Sequence, residues 1–152
     1  MNIRTIFFFF AITLISAMSI YFYTHPSYKQ SLEARYYYET GEYKDAYSLA
    51  KDAFELDSYN RMASTVMAQS KIALKYVEYI DMGKKYMQDI DKIANHENIS
   101  DGDKAKIKMI CKIMLDSYIK LTSSVITDED LVKEAESYYL KFEKLFEKVR
   151  DK

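Results

Sequence analysis

An apolar run without a charged residue, close to the N-terminus, constrains this chain more than any other feature. The run covers residues 5–23 and ends in Tyr21, Phe22 and Tyr23. Its length is in the range of a membrane-spanning helix, about 17–25 residues. Tyrosine and other aromatic rings collect where such a helix leaves the membrane. We therefore predict that residues 1–25 are a signal anchor whose residues 5–23 span a membrane.

A cleaved secretion signal is the alternative for the same segment. Such signals have a shorter apolar core, about 7–15 residues, followed by small residues at the cleavage site. Ala17-Met18-Ser19 is a passable cleavage site. Cleavage there would leave large aromatic residues at the new N-terminus, so a retained anchor is favoured.

The charges beside the apolar run predict its orientation. Arg4 and the terminal amine precede the run, and only Lys29 follows soon after it. Because basic residues stay on the cytoplasmic side, we expect the N-terminus inside the cell and the body outside the cytoplasm. In a diderm bacterium, this orientation predicts a single-pass inner-membrane protein with a periplasmic body, or a periplasmic protein if the N-terminus is cleaved. A eukaryotic organelle anchor with a cytosolic body is a further alternative.

Composition beyond the anchor favours long helices. The 152 residues include three glycines and one proline, too few for the turns of a β-sandwich or barrel. We predict an all-α protein in which residues 26–152 form a short stack of antiparallel helix hairpins, with about six helices after the anchor. The charges are balanced, 22 basic against 23 acidic residues. Since nucleic-acid binding needs a basic surface, we expect no nucleic-acid partner.

Residues 27–60 carry the clearest hairpin pattern. Ser27 follows a proline and is a candidate N-cap for a helix over residues 28–40. Gly41 is the natural residue for a left-handed turn at the end of that helix. A second helix is predicted over residues 43–56, because its apolar and small residues recur at spacings of three and four.

The order of small and aromatic residues in this hairpin closely resembles the tetratricopeptide repeat, a helix–turn–helix unit of 34 residues. The positions that would pack such a repeat are Ala34, Tyr37, Gly41, Tyr43, Ala46, Ala53 and Phe54. The match covers one repeat, residues 27–60. It departs from the pattern at Gln30, Glu33 and Ser58, which stand where larger apolar residues and a proline are expected.

The resemblance implies protein binding through a groove lined by the first helix of each repeat. Carried over to this chain, the candidate groove residues are Tyr28, Ser31, Arg35, Tyr38, Thr65, Gln69 and Ile72. The alternative is that these side chains are merely exposed, or are covered by neighbouring helices, and bind no partner. Repeats that clamp a terminal carboxylate carry lysine and asparagine where this chain has Ser31, Arg35 and Val66, so that mode is not expected.

One repeat cannot bury its own apolar faces, so further helices are expected. Residues 61–95 form a degenerate second unit with a turn near residues 74–77, or alternatively one continuous helix. A C-terminal hairpin follows at 100–152, with Ser100 or Asp101 as the N-cap of a helix reaching about Thr122. Thr127 is the predicted N-cap of the last helix. We predict that the two helices of this hairpin pack against each other, with self-association through the last helix as the alternative.

No residue pattern predicts catalysis. His25 and His96 have no histidine or cysteine at ligand spacing, so we expect no metal. Cys111 is the only cysteine and is predicted to lie in the core of a helix face. Acidic residues 128–130 suit a first helical turn. No phosphate-binding glycine loop or nucleophile elbow is present, so we expect no cofactor and no enzyme.

Together these patterns predict a membrane-tethered, extracytoplasmic interaction or scaffold module. Its partner would be a membrane-bound or periplasmic protein of an envelope assembly, such as flagellar, pilus, secretion or export machinery. A chaperone-like periplasmic holdase for unfolded clients is the alternative, and an oligomer built on the last helix is a third.

Overall fold

The computed structural model describes residues 3–95, 98–121 and 127–150. Its helices are α1 (Ile3–Thr24), α2 (Pro26–Glu39), α3 (Tyr43–Leu56), α4 (Arg61–Ala94), α5 (Asp101–Tyr118) and α6 (Glu129–Arg150). No strand occurs in the described ranges, which confirms the all-α class. The chain divides into two compact units, residues 1–71 and residues 72–152.

Helix α1 is the predicted apolar helix. Its segment Ile3–Tyr21 is 19 residues long and is apolar enough, by length and composition, to cross a membrane. None of that segment is buried against the rest of the protein. The hydroxyls of Thr13 and Ser19 donate to the carbonyls of Phe9 and Ile15 one turn earlier. A helix in lipid must satisfy its polar groups internally, and these two hydroxyls do so.

The turn between α2 and α3 depends on Gly41. Gly41 has a φ of +84°, in the left-handed region that side chains rarely adopt. The Glu42 amide donates to the Tyr37 carbonyl at 2.8 Å, and the Gly41 amide donates to the Tyr38 carbonyl at 3.1 Å. These two hydrogen bonds form a Schellman motif, which satisfies the last carbonyls of α2 and reverses the chain.

Small side chains let α2, α3 and the first turns of α4 approach closely. Ala34, Ala46, Ala50 and Val66 have no exposed surface and form the core of the first unit. The half-buried side chains that surround this core are Tyr37, Tyr38, Leu49 and Met67. Ala53 is also fully buried, Tyr43 is nearly so, and Phe54 is half-buried.

Ser27 is not the N-cap of α2. The helix begins one residue earlier, at Pro26, whose missing N–H costs nothing in the first turn. Ser27 is buried instead, and its hydroxyl donates to the Ala53 carbonyl at 2.8 Å. The side chain therefore ties the start of α2 to the end of α3.

The turn predicted at residues 74–77 is wrong, and the alternative of one continuous helix is confirmed. Helix α4 runs unbroken from Arg61 to Ala94. Nothing in Leu74-Lys75-Tyr76-Val77 interrupts a helix, since breakers such as glycine and proline are missing there. Five helices therefore follow α1 in the described part of the chain, rather than about six.

The second unit has its own core, built from α5, α6 and the part of α4 that follows residue 71. Its buried residues are Tyr76, Tyr79, Ile80, Ile90, Ile93, Ile107, Ile110, Cys111, Met114, Ala135 and Phe142. The prediction for Cys111 is thus confirmed. Helices α5 and α6 pack against each other as predicted, and Ala135 and Phe142 of the last helix face this core rather than a second copy.

The helix starts in the second unit follow local capping rules. Ser100 caps α5, because its hydroxyl accepts from the Asp103 amide at 3.1 Å while the Asp103 carboxylate accepts from the Ser100 amide. Helix α5 ends at Tyr118, earlier than predicted, and residues 122–126 lie outside the described residues. Helix α6 begins at Glu129, so the predicted cap at Thr127 is displaced by one residue. Asp128 accepts from the Asp130 amide at 2.9 Å, the geometry of a carboxylate at a helix start.

Candidate partner-binding surfaces

The groove residues predicted from the repeat resemblance do not form one exposed surface. In the first unit Arg35 and Thr65 are exposed, whereas Tyr28, Tyr38 and Gln69 are half-buried. Arg35 pairs with Glu39 one turn away, at 2.7 Å, on the exposed side of α2. That pair is compatible with a partner contact, because an exposed i,i+4 pair contributes only about 0.3–0.5 kcal/mol.

Ser31 is a poor candidate for a partner contact, and its prediction is corrected. The side chain has no exposed surface. Its hydroxyl donates to the Tyr28 carbonyl at 3.0 Å and accepts from the Asn60 side-chain amide at 3.1 Å. The serine is therefore fully used by the fold.

Tyr38 and Ile72 also contribute to packing. Tyr38 packs against the first core, and its ring meets the Tyr43 ring edge-on, with centroids 5.5 Å apart. Ile72 belongs to the second unit and packs against that unit's core. The described contacts do not support one site made of all seven predicted residues.

A surface that the sequence did not predict lies between α5 and α6. It is a groove of about 590 Å³, which we call the α5–α6 groove. It is lined by Ala105, Lys108, Met109, Lys112, Leu115, Asp116 and Phe146. On α5 these residues recur at spacings of three and four, so they follow one face for about three turns, roughly 16 Å.

The floor of the α5–α6 groove is apolar, and its rim carries two lysines, Lys108 and Lys112, and one exposed acidic residue, Asp116. Met109 is 61% exposed, and the half-buried Leu115 and Phe146 lie beside it. Lys108 and Lys112 are exposed and take part in none of the ion pairs found among the described residues. An apolar stripe beside unpaired cations suits an amphipathic helix that carries acidic residues.

The sequence held a signal for this groove. Met109 and Ile113 are four residues apart and fall off the face that buries Ile107, Ile110 and Met114, although only Met109 of the two lines the groove. A second apolar stripe on an otherwise polar face is unusual for a helix that packs on one side only. The signal is weak because the groove also needs Phe146 from α6, 30 or more residues away in sequence.

The chemistry of the described residues gives no reactive centre. No group of three histidine, cysteine or acidic residues there is placed to hold a metal ion, and His96 lies outside the described residues. Burial raises the pKa of the Cys111 thiol to about 11, so the thiolate that would act as a nucleophile is scarce at neutral pH. Burial likewise raises the pKa of Tyr79, whose hydroxyl has no hydrogen-bond partner among the residues that the structure describes.

No known protein family, no curated protein and no solved structure matches this chain, so the function is inferred from its own residues.

Proposed function

We propose that this protein is a membrane-tethered, extracytoplasmic interaction module of a bacterial envelope assembly. The α5–α6 groove is the observation that carries the proposal, since it offers an apolar floor and unpaired lysines to a second protein. The preferred partner is an amphipathic helix whose apolar face covers Met109 and whose acidic residues pair with Lys108 and Lys112. The expectation that the protein has no catalytic activity stays a prediction.

The anchor compensates for a groove of modest size. Burial of apolar surface contributes about 25 cal/mol per Å², and much of that gain is offset by the entropy lost on association. A shallow groove alone therefore gives weak binding. An anchor in the same membrane as the partner raises the effective concentration to about millimolar, at which weak binding suffices.

The proposed topology places the N-terminus in the cytoplasm and residues 26–152 in the periplasm. Arg4 lies in the first turn of α1, before its apolar run, and Lys29 is the first lysine or arginine after α1. A short N-terminal segment with the larger share of positive charge is retained inside. Protease added to spheroplasts should degrade the helical body, whereas protection of the body would contradict this orientation.

The proposed character of the first unit is a single tetratricopeptide-like repeat. Two features support it: a left-handed Gly41 between two 14-residue helices, and fully buried alanines at positions 34 and 46 in the core of the first unit. In such an arrangement the first helix of the repeat presents Arg35 and Tyr28 to solvent. We propose this surface as a second contact area, in addition to the α5–α6 groove.

Photocrosslinking in native membranes tests the proposal. A benzophenone amino acid at Met109 should give one discrete adduct with a membrane or periplasmic protein, identified by mass spectrometry. The same amino acid at Lys85, which is exposed on α4 and does not line the groove, is the matched control. Equal adducts from both positions, or none from Met109, would contradict the proposal.

Charge reversal tests the role of the lysine rim. Lys108→Glu combined with Lys112→Glu should abolish the adduct, because both changes place acids opposite the acidic partner. Lys106→Glu combined with Lys120→Glu changes the net charge equally at exposed positions outside the groove, and should preserve it. Circular dichroism of both double variants checks that they remain folded.

A holdase for unfolded clients is the second candidate. Its supporting observation is Met109, since an exposed, flexible methionine adapts to apolar surfaces of different shape. The crosslinking experiment separates the two functions. One stoichiometric partner indicates a scaffold, whereas a ladder of unrelated adducts that grows under unfolding stress indicates a holdase.

A further inference from the structure

The junction between the apolar helix and the first unit is held in a fixed geometry. Only His25 separates the end of α1 at Thr24 from the start of α2 at Pro26. The His25 ring stacks on the Tyr21 ring with centroids 4.1 Å apart, and the His25 Nδ1 atom lies 2.9 Å from the Tyr21 carbonyl. The end of the apolar helix is therefore fixed relative to the first turn of α2.

A buried hydrogen-bond network brings another part of the chain to this junction. The Ser27 hydroxyl donates to the Ala53 carbonyl at 2.8 Å, and the Asn60 side-chain amide donates to the Ser27 hydroxyl at 2.9 Å. Ala53 lies near the end of α3, and Asn60 directly precedes α4. Residues 56–60, which connect α3 to α4, are consequently held beside the end of α1.

A shared cleft confirms that these segments are neighbours. His25, Pro26 and Tyr28 line a cleft of about 170 Å³ together with Leu56 and Asp57. Leu56 lies three residues beyond Ala53, and Thr24 lies three residues before Ser27. Leu56 is therefore about 5 Å from Ala53 along α3, whereas His25, whose backbone is extended, separates Thr24 from Ser27. The cleft places Leu56 and Asp57 beside His25, the residue that directly follows α1.

The exposed side chains of this connection have the chemistry of a membrane interface. Leu56 is 58% exposed and Tyr59 is 91% exposed. Tyr59 is held outward by a rigid turn, in which its amide donates to the Asp57 carboxylate at 2.9 Å and the Asn60 amide donates to the Asp57 carbonyl at 3.1 Å. Exposed loop tips of water-soluble surfaces carry small polar residues, and a tyrosine with a leucine departs from that pattern.

We propose that residues 56–60 dock into the interfacial layer of the same bilayer that α1 crosses. The Tyr59 ring lies at headgroup depth, as tyrosines of the aromatic belt do, and Leu56 enters beneath it. The exposed Arg61 and Lys29 side chains beside them remain in the headgroup layer, where anionic lipids attract them. The first unit then contacts the membrane at two points, α1 and the 56–60 connection, so its orientation relative to the membrane is restricted more than by a single linker.

This inference rests on α1 crossing a bilayer, which is part of the proposed function, and is independent of the α5–α6 groove. The chain contains no tryptophan, so Tyr59→Trp introduces a single indole reporter at a position that tolerates it because the side chain is exposed. Tyr36→Trp is the matched control. Tyr36 is 65% exposed, and it lies ten residues after the start of α2, about 15 Å from the junction.

The experiment reconstitutes each full-length variant into vesicles of phosphatidylethanolamine and phosphatidylglycerol, with and without bromine on the upper acyl chain. The Tyr59→Trp emission should shift to shorter wavelength and lose most of its intensity to brominated lipid. The Tyr36→Trp emission should resemble tryptophan in water and be quenched by acrylamide instead. Carbonate extraction of the same vesicles reports separately whether α1 is inserted.

Each outcome decides the proposal. Lipid quenching at position 59 but not at position 36 supports docking. Acrylamide quenching at both positions, with α1 resistant to carbonate, overturns the docking while leaving the anchor intact. A blue shift at position 59 without lipid quenching assigns Tyr59 to a protein contact and also overturns the docking. Extraction of the whole chain by carbonate overturns both the docking and the membrane tether.

Discussion

Gly83→Ala is the substitution whose effect on stability the structure predicts most directly. Gly83 lies within α4, where the chain runs close to α6. A Cβ atom added at Gly83 would lie 2.9 Å from Cδ1 and 3.0 Å from Cγ of the Tyr138 ring, and 3.4 Å from Cε of Met114. Favourable carbon–carbon contacts are about 3.5–4.0 Å. The ring must therefore move by about half an ångström or more.

Two effects of opposite sign set the magnitude. Overpacking a well-packed core costs about 1–3 kcal/mol. Alanine in place of glycine within a helix gains about 1 kcal/mol. Tyr138 is half-buried against the second core, and the Lys141 ammonium lies 4.8 Å from its ring centroid, so the ring is not free to swing away. We expect a net loss of about 1 kcal/mol in the free energy of unfolding of the second unit.

Hydrogen exchange of the α5 and α6 amides in the full-length protein measures this loss, because it reports the opening of one unit rather than an average over two. Gly102→Ala is the matched control. The nearest neighbour of its added Cβ is the Ser100 hydroxyl oxygen at 3.6 Å, an ordinary contact, so this change should not destabilise α5. Tyr138→Ala removes both clashing ring atoms, and in that background Gly83→Ala should become stabilising by about 1 kcal/mol. A Gly83→Ala effect that is the same with and without the Tyr138 ring would refute the steric explanation.

Three further predictions follow from single contacts. Gly41→Ala should lower the stability of the α2–α3 hairpin by about 1–2 kcal/mol; the added side chain meets no neighbour, so the cost comes from the positive φ alone. Gly41→Asn should lower the stability less, because asparagine tolerates a positive φ better than alanine. Equal losses of exchange protection in the two variants would argue against this cause. Asn60→Ala should lower stability by about 1–3 kcal/mol, because it removes the donor to Ser27 and Ser31 and the acceptor for the first turn of α4. Asn60→Asp keeps a side-chain oxygen that can accept from the Ala63 amide, so it should restore the exchange protection of that amide. Failure to restore it would argue against the capping role. The raised pKa of Cys111 means that this thiol does not affect stability below about pH 9 and lowers it between pH 9 and pH 11, where the unfolded chain loses the proton and the folded chain retains it. Cys111→Ala should make that part of the pH profile less steep, and the slope that remains includes Tyr79, whose pKa is also raised. An unchanged profile would contradict the shift.

The helices and most of the core were predictable because they depend on local patterns. The apolar run of α1, the glycine after α2 and the serine before α5 each mark a boundary within a few residues of where it falls. The stripe of Ile107, Ile110 and Met114 likewise shows the buried face of α5 without knowledge of its neighbours. Periodicity of three and four is sufficient for such features, since it reports which side of a helix avoids water.

The N-cap predicted at Ser27 and the turn predicted at residues 74–77 were misplaced for different reasons. Ser27 stands after a proline and resembles an N-cap, yet its hydroxyl is drawn to Ala53 and accepts from Asn60, 26 and 33 residues away. The turn predicted at residues 74–77 was inferred from the expected spacing of repeats, not from a breaker in the sequence. Helix propensity without an interruption outweighs an expected repeat length, and α4 continues to Ala94.

The candidate sites show why a binding surface is harder to predict than a core. Ser31 and Tyr38 occupy positions that a repeat presents to its ligand, but the hydrogen bond from Asn60 to Ser31 and the packing of Tyr38 on Tyr43 use both for the fold. A sequence pattern shows that a residue lies outside the stripe that faces the core. It does not show whether a neighbouring helix covers that residue. The α5–α6 groove is the converse case, because Met109 becomes part of a surface only where Phe146 of α6 completes the floor.

The location of the exposed apolar residues argues for a protein that works at a membrane. Leu56 lies at the cleft that His25 also lines, close to the end of α1, and Tyr59 follows three residues later, where a bilayer could cover both. Met109 lies in the second unit, in a groove that Lys108, Lys112 and Asp116 also line. The two proposals give these surfaces different occupants: the bilayer covers Leu56 and Tyr59, and a protein covers the groove. The bilayer would fix the first unit and leave the groove of the second unit to bind a protein.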